Sequence, residues 1–264
     1  MHCIRVDRPR EWERCHLYPI GDLHLGDPHN NYRECTRLVD QIKNDPIAVC
    51  FLNGDIMNTA TSGSKSDVYT ELRSPDEQVD DAVGLLLPIR EKIIGITPGN
   101  HERRITTVSG IDTMRYVATK LSCLDCYDPD ALFVFLRFGA TADPHSRYRP
   151  QWYTLYATHG TGGGKKIGGK ANSLEDMSAI VDADIYLQGH THQPMAFPQA
   201  FYRVSASNST VVEVDKLFVN SPAILDYGGY SQRGRFRPAS KQCPVIILHG
   251  AIKQATEISN YKSL

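Results

Sequence analysis

The chain has 264 residues, 41% of them hydrophobic and 22% charged, which is the composition of an ordinary globular protein and not of a disordered or fibrous one. Its formal net charge of −1 argues against a protein-wide positive field for nucleic acid or membranes, although local basic clusters are compatible with this charge. The N-terminus lacks a signal-peptide core, no run has membrane-spanning length, and seven scattered cysteines do not suggest a disulfide framework, so we expect a cytoplasmic protein that binds no membrane.

Apolar runs bounded by turn residues predict buried strands. An apolar approach at 17–20 comes first, and the predicted strands that follow are Ile47–Leu52, Ile93–Thr97, Trp152–Ala157, Ile185–Leu187 and Val245–Leu248. Because segments with helical periodicity alternate with these strands, the pattern predicts an α/β fold with much parallel sheet. We find no internal repeat and no low-complexity linker, and therefore predict one domain over residues 1–264.

Three helices are predicted from apolar stripes at helical spacing. The stripes are Tyr32, Cys35, Val39 and Ile42; Val79, Val83 and Leu86; and Leu174, Met177 and Ile180. Ser74 and Ser173 are the expected N-caps of the second and third helices. Pro88 should kink or end the second helix early.

Short polar motifs with an adjacent glycine follow five strand ends. In chain order they are Gly21-Asp22-Leu23-His24, Asn53-Gly54-Asp55, Gly99-Asn100-His101-Glu102, Thr158-His159-Gly160 and Gly189-His190-Thr191-His192. In open α/β sheets ligands bind outside the carboxyl ends of the strands, so these polar residues should meet at one edge. Asp22 and His24 alone could be a hydrogen-bonded pair, but so many oxygen and nitrogen donors at one edge would be unfavourable without cations between them, which favours a metal site.

The motifs D-x-H, G-D, G-N-H-E, H-G and G-H-x-H, in this order over residues 21–192, resemble those of the calcineurin-like metallophosphoesterases. The resemblance implies a four-layer α/β sandwich of two mixed β-sheets flanked by helices. It implies two divalent metal ions, with Asp22, His24 and His192 on the first, Asn100, His159 and His190 on the second, and Asp55 bridging both. Mn²⁺ is the first expectation, with Fe, Zn, Co or Ni as alternatives.

The same resemblance implies hydrolysis of a phosphate ester by a hydroxide held between the metals, with His101 assisting the leaving group. The second motif lacks the Arg-Gly that follows it in serine/threonine protein phosphatases. We therefore expect a phosphodiesterase whose substrate is a nucleotide, DNA or RNA. Hydrolysis of phosphomonoesters or of sugar- or lipid-linked pyrophosphates is the alternative, and a non-catalytic scaffold, which His101 argues against, is another. A homo-oligomer is compatible with the sequence.

Basic residues near these motifs are candidates for substrate binding. Arg103 and Arg104 follow His101, and Lys165 and Lys166 lie in a glycine-rich loop after His159. The loop nearly matches a nucleotide-binding P-loop, but alanine at position 171 stands where serine or threonine should bind magnesium, and a solvated surface loop is the plain alternative.

Three further segments are compatible with more than one interpretation. Residues 231–238 combine arginines with a phenylalanine, after two tyrosines, and could grip a phosphate backbone or form a solvated face. Insertions at about 59–73 and 122–150 are expected to form a substrate rim. Cys123 and Cys126 form a lone C-x-x-C, which we interpret as two structural thiols because a zinc site needs four ligands.

Overall fold

The computed structural model describes residues 2–64, 67–140, 149–162 and 164–264. Within these residues the strands are β1 (His2–Asp7), β2 (Arg14–Ile20), β3 (Ala48–Asn53), β4 (Ile93–Thr97), β5 (Leu132–Phe138), β6 (Gln151–Ala157), β7 (Ile185–Gln188), β8 (Met195–Ser205), β9 (Thr210–Asn220), β10 (Val245–His249) and β11 (Ala255–Ile258). The α-helices are α1 (Tyr32–Asn44), α2 (Pro75–Leu86), α3 (Asn100–Ser109), α4 (Thr113–Lys120), α5 (Ile167–Glu175) and α6 (Gly229–Arg233).

The strands form two mixed sheets. One sheet has six strands in the order β1-β5-β6-β7-β9-β8, and the other has five in the order β11-β10-β2-β3-β4. In the five-stranded sheet β2, β3 and β4 are parallel. In the six-stranded sheet β6, β7 and β9 are parallel. The expectation of two mixed sheets is therefore confirmed, and each sheet carries a parallel run whose carboxyl ends can build a site.

The two sheets pack face to face. Leu17 and Phe51 of the five-stranded sheet share one buried cluster with Val134 and Leu155 of the six-stranded sheet. Strand β5 alternates buried and half-buried side chains along its whole length, as expected for a strand with one face on this core.

Helices cover the outer faces of both sheets. Leu38 of α1, Ala82 of α2 and Val117 of α4 are buried in one cluster with residues of the five-stranded sheet. On the other side, Leu174 of α5 packs in a cluster with Tyr186 of the six-stranded sheet. The helix–sheet–sheet–helix arrangement confirms the predicted four layers.

The five predicted strands are present, each to within one residue at its ends. Strands β1, β5, β8, β9 and β11 were not predicted. Because β5 is an interior strand of the six-stranded sheet, the prediction of residues 122–150 as a rim insertion is wrong for that part. Positions 141–148 of this predicted insertion, and 65–66 of the insertion at 59–73, lie outside the described residues.

The third helix was predicted wrongly. It runs over Ile167–Glu175 and is followed by a 3-10 helix at Asp176–Ala179, so Ser173 lies inside the helix and does not cap it. Ile180 is 63% exposed because the chain has left the helix before reaching it. In contrast, Ser74 caps α2 in a reciprocal capping box as predicted, and Pro88 lies in the 3-10 helix that follows Leu86.

Two further findings concern the environment of the protein. None of the helices in the described parts of the chain combines the length and the apolar character needed to cross a bilayer. All seven cysteines are free thiols. Cys123 precedes and Cys126 ends a single turn of 3-10 helix, and neither belongs to a group of metal ligands among the described residues.

Candidate active site

Eight polar side chains gather where strands of the two sheets end. Asp22 and His24 follow β2, Asp55 follows β3, Asn100 and His101 follow β4, His159 follows β6, and His190 and His192 follow β7. We call the seven of them other than His101 the metal-ligand cluster. It contains two groups whose ligand atoms lie within 4.8 Å of one another: Asp22, His24, Asp55 and His192, and Asp55, His159 and His190.

In the first group, two imidazoles face each other beside a carboxylate. His192 Nε2 lies 3.1 Å from His24 Nε2 and 3.3 Å from Asp22 Oδ1. Two lone pairs at such a distance repel, so a proton or a cation is needed between them. Asp22 Oδ1 is buried and has no hydrogen-bond donor, which is costly for a carboxylate oxygen. A divalent cation would satisfy all three atoms, so this group fits a metal.

In the second group, an amide oxygen joins the two histidines. His159 Nε2 is 3.2 Å from Asn100 Oδ1 and 3.2 Å from Asp55 Oδ2. His190 Nδ1 is 2.6 Å from Asn100 Oδ1. The same Asp55 Oδ2 is 4.0 Å from His24 Nε2 of the first group. Asp55 therefore faces both groups with one oxygen, and the mixed nitrogen and oxygen donors suit a divalent transition metal.

The backbone of the cluster is strained. Nine non-glycine residues of the described chain have a left-handed φ, and five of them belong to the cluster. These five are Asp22 (51°), His24 (52°), Asp55 (49°), His190 (64°) and His192 (56°). A non-glycine residue held in this region costs about 1–3 kcal/mol, and such residues concentrate at functional sites, where the surrounding structure enforces them.

A buried carboxylate clamps two of the loops together. Glu102 accepts hydrogen bonds from the main-chain N–H groups of Gly99 (2.8 Å), Asp55 (3.0 Å) and Met57 (2.9 Å). The loops are so close that a Cβ on Gly54 would collide with the backbone of Gly99. Burial and the neighbouring charge of Asp55 raise the pKa of Glu102 to about 7. The glutamate of the G-N-H-E motif thus positions Asp55.

Asn58 sets the tautomers of two histidines. His101 Nδ1 donates to the main-chain oxygen of Asn58 at 2.8 Å, since a carbonyl can only accept. The amide nitrogen of Asn58 donates to Glu71 at 2.5 Å, which turns its Oδ1 toward His24 Nδ1 at 3.3 Å. Both rings therefore carry their proton on Nδ1 and leave Nε2 available toward the cluster.

His101 contacts the cluster without belonging to either group of ligands. Its Nε2 lies 3.8 Å from Asp55 Oδ2 and 2.8 Å from Arg104 Nη2, which must be the donor. Burial lowers the pKa of His101; the charge of Asp55 opposes this effect and that of Arg104 adds to it. Arg104 Nη1 is buried without a hydrogen-bond partner, so the guanidinium has a free donor next to His101.

The pKa shifts of His24 and Asp55 favour the charge states that metal ligation requires, whereas that of His159 does not. Burial and then the neighbouring His101 hold the pKa of His24 well below its usual value, so this ring is neutral. Although burial favours the neutral acid, His159 and His101 hold the pKa of Asp55 well below its usual value. Burial opposes protonation of His159, but the Asp55 carboxylate raises the pKa of that ring to about 10, so a proton and a cation compete for it.

The predicted substrate-binding residues do not all reach the cluster. Arg103 bonds Asp130 Oδ1 at 3.4 Å and the oxygen of Pro129, whereas Arg104 faces His101. Successive helical residues point about 100° apart, so only one of the two arginines can face the site. The other two predicted residues, Lys165 and Lys166, lie on the surface.

Three residues that support the cluster were not singled out from the sequence. Glu102 belongs to the G-N-H-E motif and Asn58 lies three residues after Asp55, and this proximity to predicted ligands was the available signal. Ser221 follows the unpredicted strand β9 and lies 3.5 Å from Asp22 Oδ2. The main-chain N–H of His190 donates to the same oxygen at 3.0 Å.

Comparison with known proteins identifies the family of the chain. A sequence model of the calcineurin-like phosphoesterase family matches residues 23–194, which is more than half of the chain. No curated protein matches the chain. One solved structure with a detectable likeness is a conserved uncharacterized protein of Streptococcus pneumoniae, described as a predicted phosphoesterase. It has 15% sequence identity and a TM-score of 0.36, over 94% of this chain and 98% of that chain.

Proposed function

The chain belongs to the calcineurin-like phosphoesterases, and on this basis we propose that it is a dinuclear-metal phosphodiesterase acting on nucleotides or nucleic acid. The observation that carries the proposal is that Asp55 faces two groups of metal ligands with His101 beside it. With divalent metals bound, a site of this composition would offset the negative charge on a phosphoryl group in the transition state.

Each group would hold one divalent metal. Asp22, His24 and His192 form the first set of ligands and Asn100, His159 and His190 the second, with Asp55 common to both. When bound, such ions lower the pKa of a coordinated water and offset charge on phosphoryl oxygens. We propose Mn²⁺ first, with Fe, Zn, Co or Ni as alternatives, because imidazole, amide and carboxylate donors suit these ions.

His101 and Arg104 would act together on the leaving side of the phosphate. Arg104 now donates to His101 Nε2, so that nitrogen is an acceptor and cannot give up a proton. A phosphoryl oxygen would be a stronger acceptor for the guanidinium than an imidazole. We propose that substrate takes over the bond from Arg104, after which His101 Nε2 takes up a proton from solvent, the ring becomes an imidazolium, and this proton passes to the leaving oxygen.

The experiment that tests the proposed function measures hydrolysis of bis-p-nitrophenyl phosphate with added Mn²⁺. We expect turnover that is lost on chelation and lost in Asp55→Ala, because that substitution removes the only ligand shared by the two groups. Asp40→Ala, an exposed acid of α1, is the matched control and should keep full activity. Turnover that survives chelation or Asp55→Ala would reject the proposal.

Two alternatives have distinct outcomes in the same assay. A phosphomonoesterase or pyrophosphohydrolase would turn over p-nitrophenyl phosphate or a sugar-linked pyrophosphate faster than the diester. A non-catalytic scaffold would bind metal but hydrolyse none of these substrates. His101 is largely shielded from solvent and is hydrogen-bonded at both ring nitrogens. This favours an enzyme, since a scaffold does not require an oriented imidazole beside the metal ligands.

A further inference from the structure

Two basic segments that are far apart in sequence meet on the surface of the protein. Lys165 Nζ donates to the main-chain oxygen of Gly234 at 2.6 Å and stands over the ring of Phe236, 5.1 Å from its centroid. This contact joins the glycine-rich loop to the arginine segment. The cations brought together, which we call the basic patch, are Lys165, Lys166, Lys170, Arg233, Arg235 and Arg237.

The patch is not neutralised by acidic residues. No aspartate or glutamate occurs between positions 158 and 174 or between 227 and 242. Among the described residues, none of the six cations has a carboxylate within ion-pair distance, whereas Lys216 pairs with Asp182 and Lys253 with Asp184 elsewhere in the protein. In a chain with a formal net charge of −1, two segments in contact that carry six cations without a carboxylate partner form a local positive field.

The patch borders the metal-ligand cluster at Lys170. Lys170 Nζ donates to the main-chain oxygen of Thr191 at 2.7 Å, and Thr191 lies between the ligands His190 and His192. Seven residues before the arginine segment, which begins at position 231, the main-chain N–H of Ile224 donates to the main-chain oxygen of Asp22 at 3.1 Å. A polyanion lying along the patch would therefore pass next to the cluster.

Aromatic rings accompany the cations. Tyr227 is 47% exposed and Tyr230 is 43% exposed. Tyr227 is held in place because its hydroxyl donates to the main-chain oxygen of Phe236 at 3.0 Å. Half-exposed rings next to unpaired cations match the chemistry of proteins that bind single strands, in which bases stack on aromatic side chains and cations follow the phosphates. Paired bases of a duplex offer no such stacking faces.

We propose that the basic patch binds the backbone of a single-stranded nucleic acid and carries it past the metal-ligand cluster. This inference rests on the proposed phosphodiesterase function and names its substrate class. Six cations exceed what a mononucleotide or cyclic nucleotide can neutralise, so the patch fits a strand several nucleotides long.

The test measures binding of a fluorescein-labelled oligothymidylate of about 15 nucleotides, a length in the range that single-strand sites cover. The full chain is used in a His101→Asn background that limits cleavage, at several salt concentrations. The test variant is Arg233→Gln/Arg235→Gln/Arg237→Gln. The control variant, Arg14→Gln/Lys43→Gln/Arg115→Gln, removes the same charge at three exposed positions on other faces of the protein.

We expect the patch variant to bind about tenfold more weakly or worse at low salt, with a salt slope smaller by about 2, because each lost phosphate contact to a single strand contributes roughly 0.7 to the slope. The control should bind like its parent. Equal affinity and slope in the patch variant and the control would overturn the proposal. Preference for a duplex of equal length would overturn its single-strand part, and an oligouridylate arm distinguishes RNA from DNA.

Two further measurements keep the outcomes separate. Thermal unfolding shows whether the triple variant is folded, and Arg235→Gln/Arg237→Gln, outside α6, replaces it if it is not. Diester hydrolysis by the unmodified protein reports on the proposed function alone. If the protein hydrolyses the diester but binds oligonucleotide independently of the arginines, the proposal that the patch binds nucleic acid is refuted. If it binds through the arginines but hydrolyses nothing, the proposed phosphodiesterase function is refuted.

Discussion

The metal-ligand cluster and the basic patch are neighbours, yet the chain holds them in opposite ways. The cluster is mostly buried, five of its residues have a strained backbone, and its carboxylates and imidazoles are bonded to one another or to positioning residues such as Glu102 and Asn58. The patch is mostly exposed, and Lys165 and Lys170 are held by main-chain oxygens and a ring, not by ion pairs. Chemistry at phosphorus needs atoms fixed to within fractions of an ångström, whereas capture of a polyanion needs only charge of the right sign.

This contrast predicts that changes at the cluster alter turnover and metal content, and that changes at the patch alter salt-dependent affinity. The largest expected effect is that of His101→Asn. For a diester with an alkyl leaving group, turnover should fall about 10²- to 10⁴-fold, the range for loss of a general acid. A p-nitrophenolate group leaves without a proton, so His101→Asn should lower the turnover of a p-nitrophenyl diester much less.

The measurement for this prediction is the rate of each variant across a series of leaving groups of increasing pKa. His249→Asn, at the end of β10 and paired across the sheet with the start of β2, is the control and should follow the parent. Equal loss for every leaving group would show that His101 does not supply the proton.

A smaller effect is expected for Asn58→Ala. This side chain holds His24 in the tautomer that presents Nε2, and loss of such a support lowers metal affinity or activity about 10- to 100-fold. To test this prediction, Mn²⁺ is titrated into the purified variant and activity is measured at each metal concentration. Asn44→Ala, at the exposed end of α1, is the control and should require the same Mn²⁺ concentration for activity as the parent protein. If Asn58→Ala needs no additional metal either, the hydrogen bond to His24 has no role in ligation.

The smallest effect on activity is expected at the opposite end of β2. Asp45 accepts hydrogen bonds from Tyr18 and His16 at 2.7 Å each, far along the strand from Asp22. Asp45→Asn should leave diester turnover unchanged but lower the free energy of unfolding by about 1.5–3 kcal/mol at neutral pH, the range for bonds to a charged group.

The pH dependence of this loss has a definite sign. Burial acts to raise the pKa of Asp45, but the hydrogen bonds from His16 and Tyr18 outweigh burial and lower this pKa in the folded protein. The stabilisation is therefore fully present above the unfolded pKa of about 4 and disappears as the pH falls through the lower folded pKa. Denaturant unfolding of parent and variant should converge in acid. A constant difference at every pH would contradict the assignment of charge to Asp45.

Part of the arrangement of the cluster follows from the sequence, because neighbouring parallel strands place their carboxyl ends together. This rule brings Asp55 and Asn100 together, since β3 and β4 are parallel neighbours in one sheet. His190 follows β7 of the other sheet and meets them only because the two sheets pack face to face, which the strand pattern alone did not predict. Strands β8 and β9 were not identified, since much of this hairpin is exposed and lacks a continuous apolar run. As a result Ser221, which follows β9, was also missed.

Other features depend on tertiary contacts that no local pattern encodes. Arg103 and Arg104 are adjacent and chemically equivalent, and only the direction of α3 decides that the second faces His101. The start of α5 lies in a glycine-rich segment without a side-chain cap, so the sequence pointed to Ser173 instead. The contact between Lys165 and Gly234 joins segments about seventy residues apart and could not be read from either alone.

The most direct test of the account is anomalous diffraction from a crystal grown with Mn²⁺. We predict two peaks per chain, one ligated by Asp22, His24 and His192, the other by Asn100, His159 and His190, with the carboxylate of Asp55 reaching both. Manganese bound elsewhere, or two ions that share no contact with Asp55, would contradict the central claim that these seven side chains form one dinuclear site.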